Sequence, residues 1–188
     1  FNRVVKAAKG AAMGTETTVS FEVIHGNYSL MPNDTLQKIM HEKLSARGGI
    51  TYSSKENKFA NTIYQTLLSP TAQLGDQEKV LSYKPTHGHG STDVGDVSWL
   101  VPTAGLRIST WVPGTAAHSW QAVAAGGTTI GLKGTKLDAE ILSETAIEIY
   151  LDPSIASKAK QELEKRVGEG FNYVPLLGDR KPPLDYRN

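Results

Sequence analysis

Apolar residues recur with helical spacing in several stretches of the chain. Those of residues 4–12 share one helical face, and Gly14 follows where a C-terminal glycine would lie. Farther along, Ser53 and Glu56 have the spacing of a capping box, and they precede an amphipathic series that ends at Leu68, shortly before a proline. Each pattern predicts a helix.

Similar patterns predict further helices. Asp34 and Gln37 have capping-box spacing ahead of an apolar stripe that ends before Gly48. Apolar residues between 139 and 149 share one helical face, and Asp152 is placed to cap the helix after it, which starts with a proline. We therefore expect further helices in both the N-terminal and the C-terminal half of the chain.

Three other stretches are typical of β-strands. Residues 17–25 and 106–112 alternate apolar and polar side chains, which places one face of each against a core. Residues 97–101 form a short apolar run, and turn residues separate it from the alternating stretch that follows. The pattern as a whole therefore predicts a mixture of helices and strands.

The remaining stretches lack periodicity. Residues 26–33 are rich in glycine, asparagine and proline, which predicts a turn or a domain boundary. Residues 71–92 are mostly polar and predict a loop. The prolines that follow Tyr173 exclude a helix and predict an extended tail.

Composition mainly excludes functions. The 188 residues suffice for about one domain, and 39% hydrophobic and 21% charged residues are typical of a globular protein. A net charge of +1 without a long basic cluster argues against nucleic acid as a partner. No cysteine is present, which rules out disulfides, thiolate catalysis and cysteine-bound zinc. No apolar run has the length of a membrane span and no leader pattern is visible, so we expect a soluble, cytoplasmic protein.

One stretch, residues 86–96, is dense in polar side chains around three glycines. Its two histidines have H-x-H spacing, which can bind a metal from a strand but supplies only two ligands. The stretch is either a solvated loop or a ligand-binding loop, because glycines let the backbone approach a ligand closely. Its candidate residues are His87, His89, Ser91, Thr92 and Asp93.

A second candidate is His118, which lies where a loop meets a helix that ends at Gly126. A helix N-terminus disfavours a charged imidazolium and keeps the ring neutral, as metal binding requires. The alternative is an ordinary capping or partly buried histidine. A serine hydrolase built on Ser91, Asp93 and His118 is a further alternative, although the G-x-S-x-G motif of such enzymes is absent.

Several of these motifs together resemble a known family. They resemble the C-terminal part of the M20-type metal-dependent amidohydrolases, and in particular their aminobenzoyl-glutamate utilization protein B subgroup. The resemblance extends from about Asn27 to the proline-rich tail. In chain order the matching segments are the string STDVGDVSW over 91–99, Val101-Pro102-Thr103, Gly114-Thr115, His118-Ser119-Trp120-Gln121 and Lys133-Gly134.

The resemblance implies an α/β fold divided into two parts. Residues 31–188 would be the second half of an αβα three-layer, zinc-peptidase-like catalytic domain. Residues 1–30 would be the last helix and strand of an α+β lid domain that also dimerises, and Pro32-Asn33 would be the hinge between the two. The chain begins at Phe1 and not at Met, so we expect it to be part of a longer polypeptide.

The resemblance also implies a reaction: metal-dependent hydrolysis of the amide bond in an N-acyl amino acid such as aminobenzoyl-glutamate. Two divalent ions, zinc or manganese, would be the cofactors, and His118 matches the family's last metal ligand. Ser91, Thr92 and Asp93 match a turn that lines the active-site wall and would contact substrate or support the ligands. The implied partners are the acyl-amino acid, an N-terminal part of the same protein and a second copy bound through the lid.

Two further expectations follow from that assignment. The other metal ligands and the carboxylate base would lie in the preceding polypeptide, so we expect the chain alone to be inactive and to bind metal weakly, since zinc needs three or four ligands. The competing hypothesis is a non-catalytic binding or assembly domain. Its partner surface would be formed by Trp99, Trp111 and Trp120.

Overall fold

A computed structural model describes residues 1–88, 90–177, 181 and 184 of the chain. Within these residues the regular structure consists of seven α-helices and one short 3₁₀ helix, without a β-strand. None of these helices is long and apolar enough to cross a membrane. The helices are α1 (Asn2–Gly14), α2 (Asp34–Arg47), α3 (Ser54–Tyr64), the 3₁₀ helix (Asp76–Glu78), α4 (Val94–Ser98), α5 (Trp120–Gly126), α6 (Thr129–Leu151) and α7 (Pro153–Val167).

Contacts divide the chain into two units. The first comprises Phe1–Asn27 and the described residues of Val174–Asn188. Helix α1 forms where the sequence predicted it, but none of its residues is buried. The ring of Phe1 packs edge-on against Phe21, with 6.1 Å between the ring centroids. The domain boundary predicted after residue 30 stays a prediction.

The second unit is Tyr28–Tyr173, and its hydrophobic core lies among α3, α5, α6 and the segments between them. Helix α3 begins with the predicted capping box: the Glu56 amide donates to Ser53 Oγ (3.3 Å), and the Ser53 amide donates to Glu56 Oε2 (2.7 Å). The buried core residues are Ile50, Tyr52, Ala60, Ile63, Val112, Ala125 and Ile130.

Helix α3 ends at Tyr64, four residues before the predicted end at Leu68. The amides of Thr66 and Leu67 bond to carbonyls three residues back, so the chain tightens out of the α-helix. The Thr66 hydroxyl donates to the same Ile63 carbonyl at 2.6 Å and fixes this turn. A side-chain hydrogen bond of this kind competes with the helix and is not visible in the apolar pattern.

A second layer consists of α2, α6 and α7, which pack against one another. Helix α2 occupies the predicted range, but its cap is Asn33 and not Asp34. The Asn33 side chain accepts from the Leu36 amide at 3.2 Å and donates to the Ala159 carbonyl of α7 at 2.9 Å. Gln37 is not a capping residue either, because its amide group pairs with the backbone of Gly105.

Helix α6 (Thr129–Leu151) is longer than the predicted 139–149. Its first turns contain two glycines, and the apolar pattern does not mark them as helical. A Cβ at Gly131 would collide with the carbonyl oxygen of Gly126, and one at Gly134 with that of Ser109. Both glycines therefore let neighbouring backbone approach the helix, and the predicted start was too late.

The predicted strand over residues 97–101 is wrong, since helix α4 includes Val97 and Ser98. A short apolar run does not distinguish a buried strand from a helical turn. Residues 17–25 and 106–112 have no helix or ladder in the described part of the chain, so the strand predictions there are not met. A strand needs a partner to hydrogen-bond with, and alternation alone supplies none.

The predicted loop over residues 71–92 and the predicted extended tail can also be compared with the structure. The described residues of 71–92 are irregular as expected, apart from the 3₁₀ helix. Residues 173–177 form no helix, while Pro182 and Pro183 of the predicted tail lie outside the described residues.

Candidate functional site

His118 lies at the predicted junction between a loop and a helix, and its backbone is left-handed. It is followed by Ser119, the N-cap of α5, and has φ of 60°. For a residue other than glycine this conformation costs roughly 1–2 kcal/mol, and it persists only where the surroundings enforce it. Such strain is concentrated at functional sites, so the turn is a candidate site on conformational grounds alone.

Hydrogen bonds of Ser119 hold this turn. Its hydroxyl donates to the Ala116 carbonyl at 2.7 Å and accepts from the Ala122 amide at 3.2 Å. One side chain thus ties the incoming loop to the first turn of α5. Upstream, Gly114 has φ of 82° and lies against Pro70, so a side chain there would be strained and crowded.

The imidazole of His118 is exposed and hydrogen-bonds to no described residue. It lies at a shallow, open depression of about 560 Å³. Apart from His118 and Ser119 the lining is apolar. The lining residues are Trp111, His118, Ser119, Trp120, Ala122 and Val123.

The described residues do not contain a complete metal site. No group of three or more histidine, aspartate or glutamate side chains among them is close enough to hold an ion. His118 could therefore supply one ligand of a centre, but a complete ligand set would need residues from outside the part of the chain that the structure describes. Of the predicted H-x-H pair, His87 is exposed and His89 lies outside the described residues.

Ser91, Thr92 and Asp93 lie together just before α4, with exposed side chains, and none of them lines the depression beside His118. The Thr92 hydroxyl accepts from the Val94 amide at 3.3 Å. Asp93 is the N-cap residue, but its side chain makes no capping hydrogen bond. The structure therefore brings these three residues together, but it does not unite them with His118 in one cavity.

The second half of the same string has a structural role that the sequence did not indicate. Asp96 accepts from the Tyr28 amide at 3.2 Å and from the Tyr173 hydroxyl at 2.9 Å. Ser98, which is fully buried, accepts from the Met31 amide at 2.8 Å. These bonds attach residues 28–31 to α4. The only sequence feature that could have indicated this attachment is the presence of polar residues within an apolar run.

Glycine and tryptophan complete that attachment. A Cβ at Gly95 would collide with the carbonyl oxygen of Tyr28, so only glycine permits this close contact. The indole nitrogen of Trp99 donates to the Ser29 carbonyl at 2.8 Å. Its ring packs against Phe171, with the centroids 4.9 Å apart.

The three tryptophans do not form the exposed surface that the binding-domain hypothesis requires. Trp99 is half-buried among other aromatic rings, and Trp111 is half-buried against the hydrophobic core. Only Trp120 is exposed, with 60% of its surface accessible. Their partial burial therefore argues against Trp99 and Trp111 as parts of a shared partner surface, and that hypothesis stays a prediction.

The Lys133-Gly134 dipeptide connects α6 to its neighbours. Lys133 Nζ lies 2.6 Å from Glu56 Oε2 and also donates to the Thr51 carbonyl at 3.0 Å. Hydrogen bonds from Lys133, Thr129 and Ser53 lower the pKa of Glu56 to about 2, although burial opposes the shift. Glu56 is therefore an anion that links α3 to α6 rather than a candidate general base, which needs a pKa near the operating pH.

A second anionic link joins α7 to the start of α2. Glu162 accepts from the backbone amides of Asp34 (2.7 Å) and Thr35 (2.8 Å). Burial raises its pKa, but these bonds, the Thr35 hydroxyl and Arg166 outweigh burial and lower the pKa to about 2. Asp34 in turn accepts from the Tyr83 hydroxyl at 2.6 Å. This network fixes the helix that follows Pro32-Asn33.

Comparison with known proteins finds a relative for most of the chain. It is 35% identical to the B subunit of p-aminobenzoyl-glutamate hydrolase from Escherichia coli (strain K12), over an alignment of 187 residues that covers 86% of this chain and 39% of that protein. The chain thus spans about two fifths of the length of this curated relative. No protein-family profile matches the chain. No solved structure gives a significant match.

Proposed function

We propose that the chain is the C-terminal part of an M20-type metal-dependent amidohydrolase of the aminobenzoyl-glutamate utilization protein B subgroup. The whole protein would hydrolyse the amide bond of an N-acyl amino acid such as p-aminobenzoyl-glutamate. The observation that supports this most is the identity of 35% over 86% of the chain to a subunit of the hydrolase that carries this substrate in its name.

The metal assignment rests on His118. Its ring is exposed, it has no hydrogen-bond partner among the described residues, and a strained turn presents it beside an open depression. Those properties fit a metal ligand whose backbone is held by Ser119. When bound, a pair of zinc or manganese ions supplies Lewis-acid polarisation of the amide carbonyl and acidifies a water.

The α/β fold is part of the same proposal. Residues 31–188 would form the second half of an αβα three-layer catalytic domain, and residues 1–30 the end of a lid domain. Support comes from residues 106–112, which alternate like a strand, begin beside Gly105 and make backbone contact with Gly134 of α6. A strand from the rest of the protein would supply the partner that these residues lack among the described ones.

Partners and location follow from that assignment. The relative is named as a subunit, which supports a partner subunit in the assembled enzyme. We further propose a second copy bound through the lid, and a cytoplasmic location. Ser91, Thr92 and Asp93 would line the substrate site only once the remaining polypeptide is in place, since they do not share the depression with His118.

The decisive experiment measures release of p-aminobenzoate from p-aminobenzoyl-glutamate by the complete protein with its partner subunit. Activity should fall with a chelator and return with zinc or manganese. His118→Ala should abolish it, whereas His41→Gln on α2 should retain it, because His41 only packs on Tyr83 and approaches Ser45. Chelator-resistant hydrolysis, or full activity of His118→Ala, would contradict the proposal.

The isolated chain offers a second test. Because its described residues contain no ligand set, it should neither hydrolyse the substrate nor bind zinc with the affinity of a multi-ligand site. Turnover by purified residues 1–188, measured after removal of any accompanying protein, would refute the assignment of His118 as one ligand among several.

A further inference from the structure

The depression beside His118 has an unusual lining for a surface that holds a candidate metal ligand. Two tryptophans, Trp111 and Trp120, line it together with Val123. Trp111 is half-buried and packs on the hydrophobic core, while Trp120 and Val123 are 60% and 80% exposed. The depression is therefore lined by one half-buried tryptophan, Trp111, and one exposed tryptophan, Trp120.

The chemistry of the lining selects one end of the proposed substrate. Among the described residues no arginine or lysine lines the depression, so this lining offers no cation to the carboxylates of a glutamyl group. Indole faces and edges instead favour flat aromatic rings, through offset or edge-on stacking worth about 0.5–1.5 kcal/mol beyond area burial. An aromatic acyl group fits this lining, and an anionic amino acid does not.

The position of Trp120 in the chain places its indole close to His118, the proposed metal ligand. Trp120 is the first residue of α5, two positions after His118, and Ser119 between them is fixed by two hydrogen bonds. A group held against Trp120 would thus lie beside the imidazole that we assign to the metal centre. The scissile amide joins the acyl ring to the glutamate, so both groups lie near this point, and the aromatic lining favours the acyl ring over the glutamate.

We propose that Trp120, with Trp111, forms the binding wall for the aromatic acyl group of the substrate and thereby determines acyl specificity. This inference rests on the proposed function. It assigns Trp120 a contact with substrate and no part in the hydrolytic step. The competing explanation is that the remaining polypeptide covers Trp120 as ordinary core.

Product inhibition of the complete protein separates these explanations. With p-aminobenzoyl-glutamate as substrate, inhibition constants are measured for each product, p-aminobenzoate and glutamate, in wild type, Trp120→Ala and Trp120→Phe. Trp120→Ala should raise the constant for p-aminobenzoate and the KM of the substrate at least about fivefold, a factor that corresponds to the loss of one stacking contact. The constant for glutamate should change by less than about twofold, and Trp120→Phe should restore most of the p-aminobenzoate affinity.

The matched control is Tyr150→Ala, which removes an aromatic ring that is 86% exposed on α6 and does not line the depression. It should leave both inhibition constants unchanged. Equal weakening of both products by Trp120→Ala, or a lower unfolding temperature with unchanged constants, would overturn the inference and indicate ordinary core. If wild type hydrolyses nothing, the proposed function fails and the inference with it; hydrolysis with unaltered product selectivity in Trp120→Ala overturns the inference alone.

Discussion

Lys133 Nζ lies 2.6 Å from Oε2 of Glu56, and the same carboxylate oxygen accepts from the Ser53 amide at 2.7 Å. A single oxygen therefore completes the capping box of α3 and binds the lysine of α6. Glu56 is only 7% exposed, so this ionic contact lies at the edge of the core. Sequence reasoning identified the first function of Glu56 and missed the second.

The Glu56 contact predicts how stability depends on pH. The pKa of Glu56 is lowered from 4.5 to about 2 in the folded protein, chiefly by Lys133. A depressed folded-state pKa stabilises the fold fully above the unfolded value and progressively less as the pH falls from about 4.5 towards 2. Glu162 acts in the same range and direction. Urea unfolding of the chain should therefore show decreasing stability across this interval.

Substitution of Glu56 measures its share of that slope. Glu56→Gln should flatten part of the pH dependence and cost about 1–3 kcal/mol at neutral pH, because the buried side chain at position 56 loses the charge that binds Lys133. Glu164→Gln is the control: its side chain is 64% exposed and lies 3.9 Å from Lys160, so it should change neither slope nor stability measurably. An unchanged slope in Glu56→Gln would show that the Lys133 contact does not persist in solution.

Asn33 supports a second prediction, on the attachment of α2 to α7. It is 2% exposed, caps α2 through the Leu36 amide and donates to the Ala159 carbonyl. Asn33→Ala removes both bonds and should lower the free energy of unfolding by about 1–3 kcal/mol. Asn61→Ala, on the exposed side of α3, should cost no more than about 0.5 kcal/mol. Equal losses in the two variants would contradict the double role of Asn33.

Helices were predictable where caps and an apolar stripe coincide, as at Ser53 and Asp152. The Asp152 side chain accepts from the Ser154 amide at 3.0 Å, as its position before Pro153 predicted. Prediction failed where a distant group decides the structure. The apolar run that begins at Val97 starts within a helix. Ser98 in that helix accepts a hydrogen bond from the amide of Met31, which is far away in the sequence. Local periodicity carries no information about such a partner.

The candidate site was predictable in position but not in conformation. The loop-to-helix junction at His118 follows from the glycines that end α5 and the polar residues that precede it. Its left-handed backbone does not, because positive φ is uncommon for residues other than glycine and the pattern does not mark where it occurs. The exposed indole of Trp120 was likewise invisible, since nothing in the sequence distinguishes it from Trp111, which packs on the core.

Gly134 supports a third prediction, because its hydrogen faces the carbonyl oxygen of Ser109. Replacing glycine by alanine inside a helix ordinarily stabilises it by up to about 1 kcal/mol. At Gly134 the sign should reverse, with a loss of at least about 1 kcal/mol from overpacking. Gly126→Ala is the control, because its Cβ would meet only Trp111, at an ordinary 3.7 Å. A stabilised Gly134→Ala in urea unfolding would show that α6 and residue 109 are not in contact.

His118 supports the last prediction, which separates conformational strain from function. At most helical positions glycine is less favourable than alanine by about 1 kcal/mol, as expected for the exposed Lys38 of α2. At φ of 60° the order should reverse, because glycine adopts the left-handed conformation without strain: His118→Gly should be more stable than His118→Ala by about 1 kcal/mol. Urea unfolding of the four single variants, with glycine or alanine at each position, measures both differences. The same order at both positions would mean that the turn is not left-handed, and the conformational support for a ligand at His118 would then be lost.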